Sequence, residues 1–171
     1  VAALAITSCS QNEEIDAPAQ KTPVSFKTIV NKSARATAML EADFSEFKVY
    51  AYNTGTDNIA TATTIGTTFI NGEEVTKAAE GAWGMSTTYY WPVSDNIQFF
   101  AFSPKAAIST DLWNVATKYP SFTYTIKEVA SQEDLLVASA TDKTKPTTDQ
   151  AIELAFSHIL TQINFSAKLV K

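Results

Sequence analysis

The sequence predicts an all-β domain built as an antiparallel β-sandwich of seven to nine short strands. Downstream of Pro23, Thr, Val, Ile, Phe and Tyr are concentrated in short runs that alternate with period two. Gly, Asn, Asp and Pro separate these runs, and stretches with a helical period are nearly absent. With 171 residues, the chain is long enough for one well-buried domain and short for two.

We expect the strands at residues 24–30, 47–52, 65–70, 89–91, 97–102, 122–126, 135–138, 152–157 and 162–169. The run 97–102 is apolar on both faces, which favours a central strand and places the core there. The run 122–126 alternates, so one of its faces should be in solvent. Asn71-Gly72 predicts a hairpin turn, and residues 106–116 are the one stretch expected to form a helical turn or two.

Residues 1–9 form a short apolar run that ends at Cys9, the sole cysteine. Ile6, followed by the small residues Thr7 and Ser8, fits the end of a bacterial lipoprotein signal, of which only the last part is present. Cys9 would then be lipidated and become the mature N-terminus. Because two or three acyl chains on one residue anchor a protein stably, the protein would be held at a membrane surface. The alternative is a short N-terminal strand with a buried cysteine.

Residues 10–23 are polar and acidic and contain two prolines, so we expect a flexible acidic tether with too little apolar surface to fold. Glu13, Glu14 and Asp16 close behind Cys9 resemble a surface-export signal of lipoproteins in some Gram-negative anaerobes. A solvated linker without an address is the other interpretation. No stretch approaches the ~20 apolar residues of a membrane-spanning helix.

The composition argues against several classes of function. The net charge is −5, with eighteen acidic against thirteen scattered basic residues, so we expect no nucleic-acid partner. One cysteine and one histidine cannot build a disulfide or a typical zinc site, and no glycine-rich phosphate loop is present. We therefore expect no metal and no cofactor.

Catalysis is also not expected. His158 is the single histidine, and its neighbour Ser157 points to the opposite face of a strand, so the two cannot act as base and nucleophile. Nothing similar to Gly-x-Ser-x-Gly occurs. We expect His158 to be a hydrogen-bonded residue at a strand end, and Glu133-Asp134 to be a solvated turn.

Several segments resemble the fimbrillin family when they are taken together and in order. They are residues 24–26 with 32–37, residues 47–52, Trp83, residues 89–92, residues 99–104, and residues 154–163 with the pattern Phe-x-His-x-Leu-x-Gln. Ala34 stands where the family has the threonine of a Thr-Arg-Ala step. The family comprises shaft and tip subunits of lipoprotein-derived pili in Gram-negative anaerobes.

The resemblance implies a transthyretin-like sandwich at residues 24–171, normally followed by a second sandwich, so we expect this chain to be the N-terminal part of a longer protein. It implies a structural subunit or adhesin of a fimbrium at the outer membrane and cell surface, with other pilin subunits, a lipid anchor and, for an adhesin, a host protein or glycan as partners. In the family a trypsin-like protease cuts after an arginine that follows the first strand, and a donor strand from the next subunit fills the freed groove. Arg35 matches that arginine; the alternative is an ordinary surface arginine.

The aromatic residues Trp83, Tyr89, Tyr90 and Trp91 suggest a second function, since exposed rings stack on sugar faces. The competing and favoured interpretation is core packing, because Tyr90 and Trp91 are adjacent and point to opposite faces of a strand. The alternative function is a non-catalytic, surface-anchored glycan-binding lipoprotein of the same fold class.

Overall fold

The structure is a computed structural model that describes residues 21–31 and 43–160. The predicted lipidation signal with Cys9, most of the predicted tether, Arg35 and the predicted strand 162–169 lie outside the described residues.

Nine strands occur in the described part of the chain. They are β1 (Phe26–Val30), β2 (Glu46–Asn53), β3 (Thr67–Lys77), β4 (Trp83–Met85), β5 (Ile97–Ser103), β6 (Trp113–Asn114), β7 (Ser121–Phe122), β8 (Leu136–Lys143) and β9 (Ile152–His158). The helical content of the same residues is two single 3₁₀ turns, Thr110–Leu112 and Val129–Ser131. The all-β prediction is confirmed.

Seven strands form one sheet in the order β1-β9-β8-β5-β2-β3-β4, and β6 pairs with β7 in a separate ribbon. Neighbouring strands run antiparallel except β1 and β9, which are parallel. The sheet curls on itself, because the Phe26 ring on β1 reaches Phe47 on β2 and Phe99 on β5, with ring centroids 5.7 and 5.8 Å apart. The result is a sandwich-like arrangement with β1 facing the central strands across the core.

Strand β5 is the centre of the core, as the sequence predicted. Six of its seven residues are buried, and Phe100 is half-buried. Successive side chains of a strand point to opposite faces, so Phe99 enters an inner apolar cluster and Phe102 an outer one.

The β6–β7 ribbon covers the outer cluster. Trp113 of β6 stacks on Tyr50 of β2 with centroids 4.3 Å apart and planes 9° from parallel. Its indole N–H donates to the Tyr52 hydroxyl at 2.7 Å, which satisfies the polar edge of a partly buried ring. The ribbon thus shields the second face of β2 and β5 from solvent.

The hairpin predicted at Asn71-Gly72 is wrong, since both residues lie inside β3. The ladder pairs Val49 with Glu73 and Ala51 with Ile70, so Tyr50 faces two residues at a β-bulge. Gly72 has φ 67°, and a Cβ there would lie 2.9 Å from the Tyr50 hydroxyl. Glycine is therefore required by the bulge and not by a turn.

Other predicted strand boundaries differ from the observed ones where a side chain is packed but its backbone is not paired in a ladder. Residues 89–91 contribute one isolated bridge at Tyr90, and 122–126 shorten to β7. Tyr124 still packs against the outer cluster, so the alternating pattern of residues 122–126 reflects side-chain burial and not strand pairing. The short strands β4 and β6 were not predicted, whereas the turn expected within 106–116 is the 3₁₀ turn Thr110–Leu112.

Candidate functional site

The candidate site is strand β1 together with the groove that it occupies. Within the described residues β1 is the end strand of the sheet and pairs only with β9, from Phe26 opposite Ile152 to Val30 opposite Phe156. The pairing extends past both ends of the strand. The Ile152 N–H donates to the Ser25 carbonyl at 2.8 Å, and the Asn31 N–H donates to the Phe156 carbonyl at 2.9 Å.

Alternate side chains of residues 22–31, here called the first segment, point into the core. Val24, Phe26 and Val30 are 4, 6 and 7% exposed, whereas Lys27 and Ile29 lie at the surface. This alternation follows from the period-two geometry of a strand with one face on the core. Phe26 packs edge-to-face against two rings of the inner cluster. The groove is thus a row of apolar sites spaced for every second residue.

The start of this segment is held by a different element. The Val24 N–H donates to the Tyr89 carbonyl at 2.8 Å, and the Trp91 N–H donates to the Thr22 carbonyl at 3.0 Å. The chain therefore pairs first with residues 89–91 and then crosses onto β9, so that two separate parts of the fold grip the first segment.

Glu73 of β3 holds in place the loop that leads to residues 89–91, which pair with the first segment. One carboxylate oxygen accepts hydrogen bonds from the backbone N–H groups of Ser86 and Thr87, both at 3.1 Å, and from the Ser86 hydroxyl. The other accepts from the Tyr89 hydroxyl at 3.3 Å. Desolvation raises the pKa of the Glu73 carboxyl, but these hydrogen bonds outweigh it and hold the pKa below its ordinary value.

No local sequence pattern indicates the role of Glu73, because its partners lie 13 to 16 residues further along the chain. Sequence reasoning missed this residue. Its function depends on the return of the chain through β4, a three-residue strand that is too short for a periodicity signal.

The outer face of β1 and β9 carries two polar pairs. The Lys27 ammonium lies 3.0 Å from the Glu153 carboxylate, with 60 and 49% of the two side chains exposed. The Asn31 side-chain amide donates to the Ser157 hydroxyl at 3.0 Å. Each pair joins one residue of the first segment to one of β9.

The two predicted processing residues, Cys9 and Arg35, fall outside the described residues. Asn31 is the last described residue before the segment that contains Arg35. Lipidation of Cys9 and cleavage at Arg35 stay predictions.

Of the four aromatic residues singled out from the sequence, the two tryptophans pack against core rings. Trp91 is 7% exposed and lies edge-to-face on Phe99 with centroids 5.8 Å apart. Trp83 is half-buried against Phe47, centroids 5.0 Å apart, and carries the Lys77 ammonium over its ring at 5.6 Å. Neither presents a free flat face to solvent.

The two tyrosines lie in different surroundings. Tyr89 is half-buried, and its ring packs against Phe69 with centroids 6.0 Å apart. Tyr90 is 45% exposed, with the Lys21 ammonium 5.6 Å from its ring centroid. The four rings are therefore close in sequence, but the structure does not assemble them into one exposed platform.

His158 is a hydrogen-bonded residue at the end of β9, as the sequence predicted. Its Nδ1 lies 2.7 Å from an Asp134 carboxylate oxygen, and its side chain is 8% exposed. Ser157 points outward, where Asn31 donates to it, so serine and histidine do not meet. Glu133 pairs with Lys127, so this acidic residue is engaged in an ion pair.

The described residues contain no group of three or more His, Cys, Asp or Glu side chains placed to hold a metal ion. Nor does this part of the chain include a helix with the length and hydropathy needed to cross a membrane.

Comparison with known proteins identifies the family. A family model described as Fimbrillin-like matches residues 34–170. The chain is 27% identical over 186 residues to the fimbrium subunit Fim1C of Phocaeicola vulgatus, an alignment that covers 95% of this chain and 48% of that protein. This chain thus spans about half the length of that relative, and no solved structure matches it. Because the family model covers well over half of the sequence, the chain belongs to the fimbrillin-like family.

Proposed function

We propose that this protein is a structural subunit of a surface fimbrium, and that β1 fills a groove which a strand of another subunit takes over after cleavage at Arg35. Family membership and the relative named as a fimbrium subunit support the first part. The family match begins at residue 34, next to Arg35, so β1 lies entirely before it.

The observation that carries the proposal is the way β1 is held. It supplies alternate apolar side chains to the core and, among the described residues, is joined to the sheet by one ladder, to β9. Main-chain hydrogen bonds are indifferent to sequence, so another strand with the same alternation can form the same ladder. Removing β1 would uncover the Phe47 and Phe99 rings and leave N–H and C=O groups of β9 unpaired, a surface that favours strand addition.

A single cut at Arg35 would have two consequences. Cys9 and β1 both precede Arg35 in the chain. If Cys9 is lipidated in an outer-membrane precursor, cleavage would leave both the anchor and the strand that fills the groove attached to the folded body only by the noncovalent contacts of β1, so that replacement of β1 would release the anchor as well. The proposed partners are therefore other fimbrial subunits, a trypsin-like protease and, for the precursor, the membrane lipid.

The test exploits the fact that Arg35 is the only arginine. An arginine-specific protease should cut the full chain once, and the cut chain should then take up a labelled peptide of residues 21–31, measured by fluorescence anisotropy. Uncut chain should take up little, because a tethered strand competes at an effective concentration of roughly millimolar. The Arg35→Gln variant, treated with the same protease, is the matched control. A cut, folded chain that takes up no peptide would overturn the proposal.

The glycan-binding alternative has less support. Trp91 is buried and Trp83 packs on core rings, so stacking would depend on Tyr90. A glycan array with wild-type and Tyr90→Ala protein checks it, and binding lost in the variant would favour it.

A further inference from the structure

Two polar pairs on the outer face record the register of β1 against β9. Lys27 and Glu153 are directly opposite each other in the ladder, and their charged groups are 3.0 Å apart. Asn31 follows the last ladder pair, Val30 with Phe156, and its amide reaches Ser157. Both pairs join residues that the observed alignment of the two strands brings together.

Side-chain alternation alone does not determine the register of β1 against β9, so further contacts such as these two pairs are needed to define it. A slip by one residue turns every buried side chain of β1 outward and is excluded by the loss of burial. A slip by two residues keeps the same faces, so apolar alternation alone tolerates it. A strand entering this groove could therefore settle in several registers two residues apart.

Two features of the groove distinguish these registers. The site between Phe47 and Phe99 holds an aromatic ring, and a slip by two would put Val24 or Thr28 there. On the outer face the same slip would replace Lys27 opposite Glu153 by Ser25 or Ile29, which carry no charge. The aromatic site acts through volume and Glu153 acts through charge.

We propose that Glu153 selects the register and the partner of any strand that occupies the edge of β9. The segment it favours runs parallel to β9, places an aromatic residue between Phe47 and Phe99, and carries a lysine or arginine immediately after that residue. The inference rests on the proposed function, because selection matters only if β1 can be replaced.

The expected effect is one of selectivity more than affinity. Both side chains of the pair are about half exposed, so solvent screens their attraction. Cross-strand charge pairs of this kind change an equilibrium by about two- to five-fold, and a like-charge pair acts in the opposite sense by a similar factor. Burial of the aromatic residue supplies most of the binding, whereas Glu153 ranks the competing strands and registers.

The experiment measures uptake by the full chain cut at Arg35, using labelled peptides of residues 21–31 that carry either Lys27 or Glu at that position. Wild-type chain should take up the Lys27 peptide about four- to twenty-five-fold more tightly than the K27E peptide, because the attraction of one pair and the repulsion of the other multiply. The Glu153→Lys chain should show the reverse preference, and Glu153→Gln should show little. Raising the salt concentration should shrink both preferences.

The outcomes separate the two proposals. If the cut chain takes up neither peptide, the proposed strand exchange fails, and this inference falls with it. If both peptides enter equally in the wild-type and the Glu153→Lys chains, strand exchange stands and selection by Glu153 is overturned. The exposed position of Glu153 and the neutral Glu153→Gln variant guard against a folding artefact.

Discussion

Replacing Phe26 by alanine should be the most damaging single truncation in the first segment. Phe26 is 6% exposed, and its ring lies edge-to-face on Phe47 and Phe99 at 5.7 and 5.8 Å. Buried Phe→Ala changes cost about 3–5 kcal/mol, since they remove apolar contact and leave a cavity. At the end strand of a sheet the cavity can partly collapse, so we expect a cost of about 3 kcal/mol, the lower end of that range.

The matched control is Ile29→Ala in the same strand. Ile29 is 43% exposed and points away from the core, so its truncation should cost less than about 1 kcal/mol. Urea denaturation followed by circular dichroism gives both free energies of unfolding. Cleavage by the arginine-specific protease gives a second readout, because release of β1 in Phe26→Ala should speed cutting at Arg35 relative to Ile29→Ala.

The reasoning would be refuted if Phe26→Ala and Ile29→Ala changed the unfolding free energy equally. Equal costs would mean that the first segment does not dock its even-numbered side chains in the core, and the groove would lose its basis.

Three further predictions concern the residues that shape the groove from a distance. Gly72→Ala should cost roughly 1–3 kcal/mol by urea denaturation, because φ is 67° and a Cβ would lie 2.9 Å from Tyr50, whereas Gly84→Ala, with open space around it, should cost less than about 1 kcal/mol; equal costs would contradict the bulge argument. Glu73→Gln should lower the unfolding free energy by about 1 kcal/mol at neutral pH. Because the folded-state pKa of Glu73 is depressed, its contribution is present above the ordinary value of 4.5 and is lost as pH falls through the folded-state pKa, so the difference between wild type and variant should vanish in acid; a constant difference would be inconsistent. Trp113→Phe should keep the ring stack but lose the indole hydrogen bond that ties β6 to β2, at a cost of about 1 kcal/mol, and unchanged stability would argue against that bond.

The sequence predicts the central strands because burial there follows directly from residue type. Residues 97–102 are apolar on both faces and form β5, buried on both sides. Residues 24–30 alternate, and Phe26–Val30 within them form β1 with its alternating burial. In these elements one strong signal, the period of the apolar pattern, agrees with the three-dimensional surroundings.

The elements that sequence reasoning placed wrongly depend on partners distant in the chain. Asn71-Gly72 has the composition of a turn, and only the ring of Tyr50 on β2 makes it a bulge within β3. The parallel pairing of β1 with β9 joins residues 126 positions apart, as in the contact of Asn31 with Ser157. Local propensity carries no information about such a pair. The sequence therefore predicts that a groove exists but not that β9 forms its edge.

The candidate site divides in the same way. That Tyr90 and Trp91 do not share one surface follows from their adjacency in an extended segment, where neighbours face opposite sides, but only the structure shows that Trp91 is the buried one. The Lys27–Glu153 pair depends on the register of strands that are far apart in sequence, and no motif marks either residue. Register is a tertiary property set by the fit of the whole strand.

The features that hold β1 also determine when it can be replaced. A strand tethered to its own domain competes at an effective concentration of roughly millimolar, so free strands at micromolar concentration are excluded whatever their sequence. Cutting the tether leaves every contact in place but turns the competition into one of ordinary affinities. Under the proposed strand exchange, the timing of assembly is then decided by cleavage near Arg35, and the choice of strand is decided by the aromatic site at Phe47 and Phe99 and by Glu153 on the opposite face.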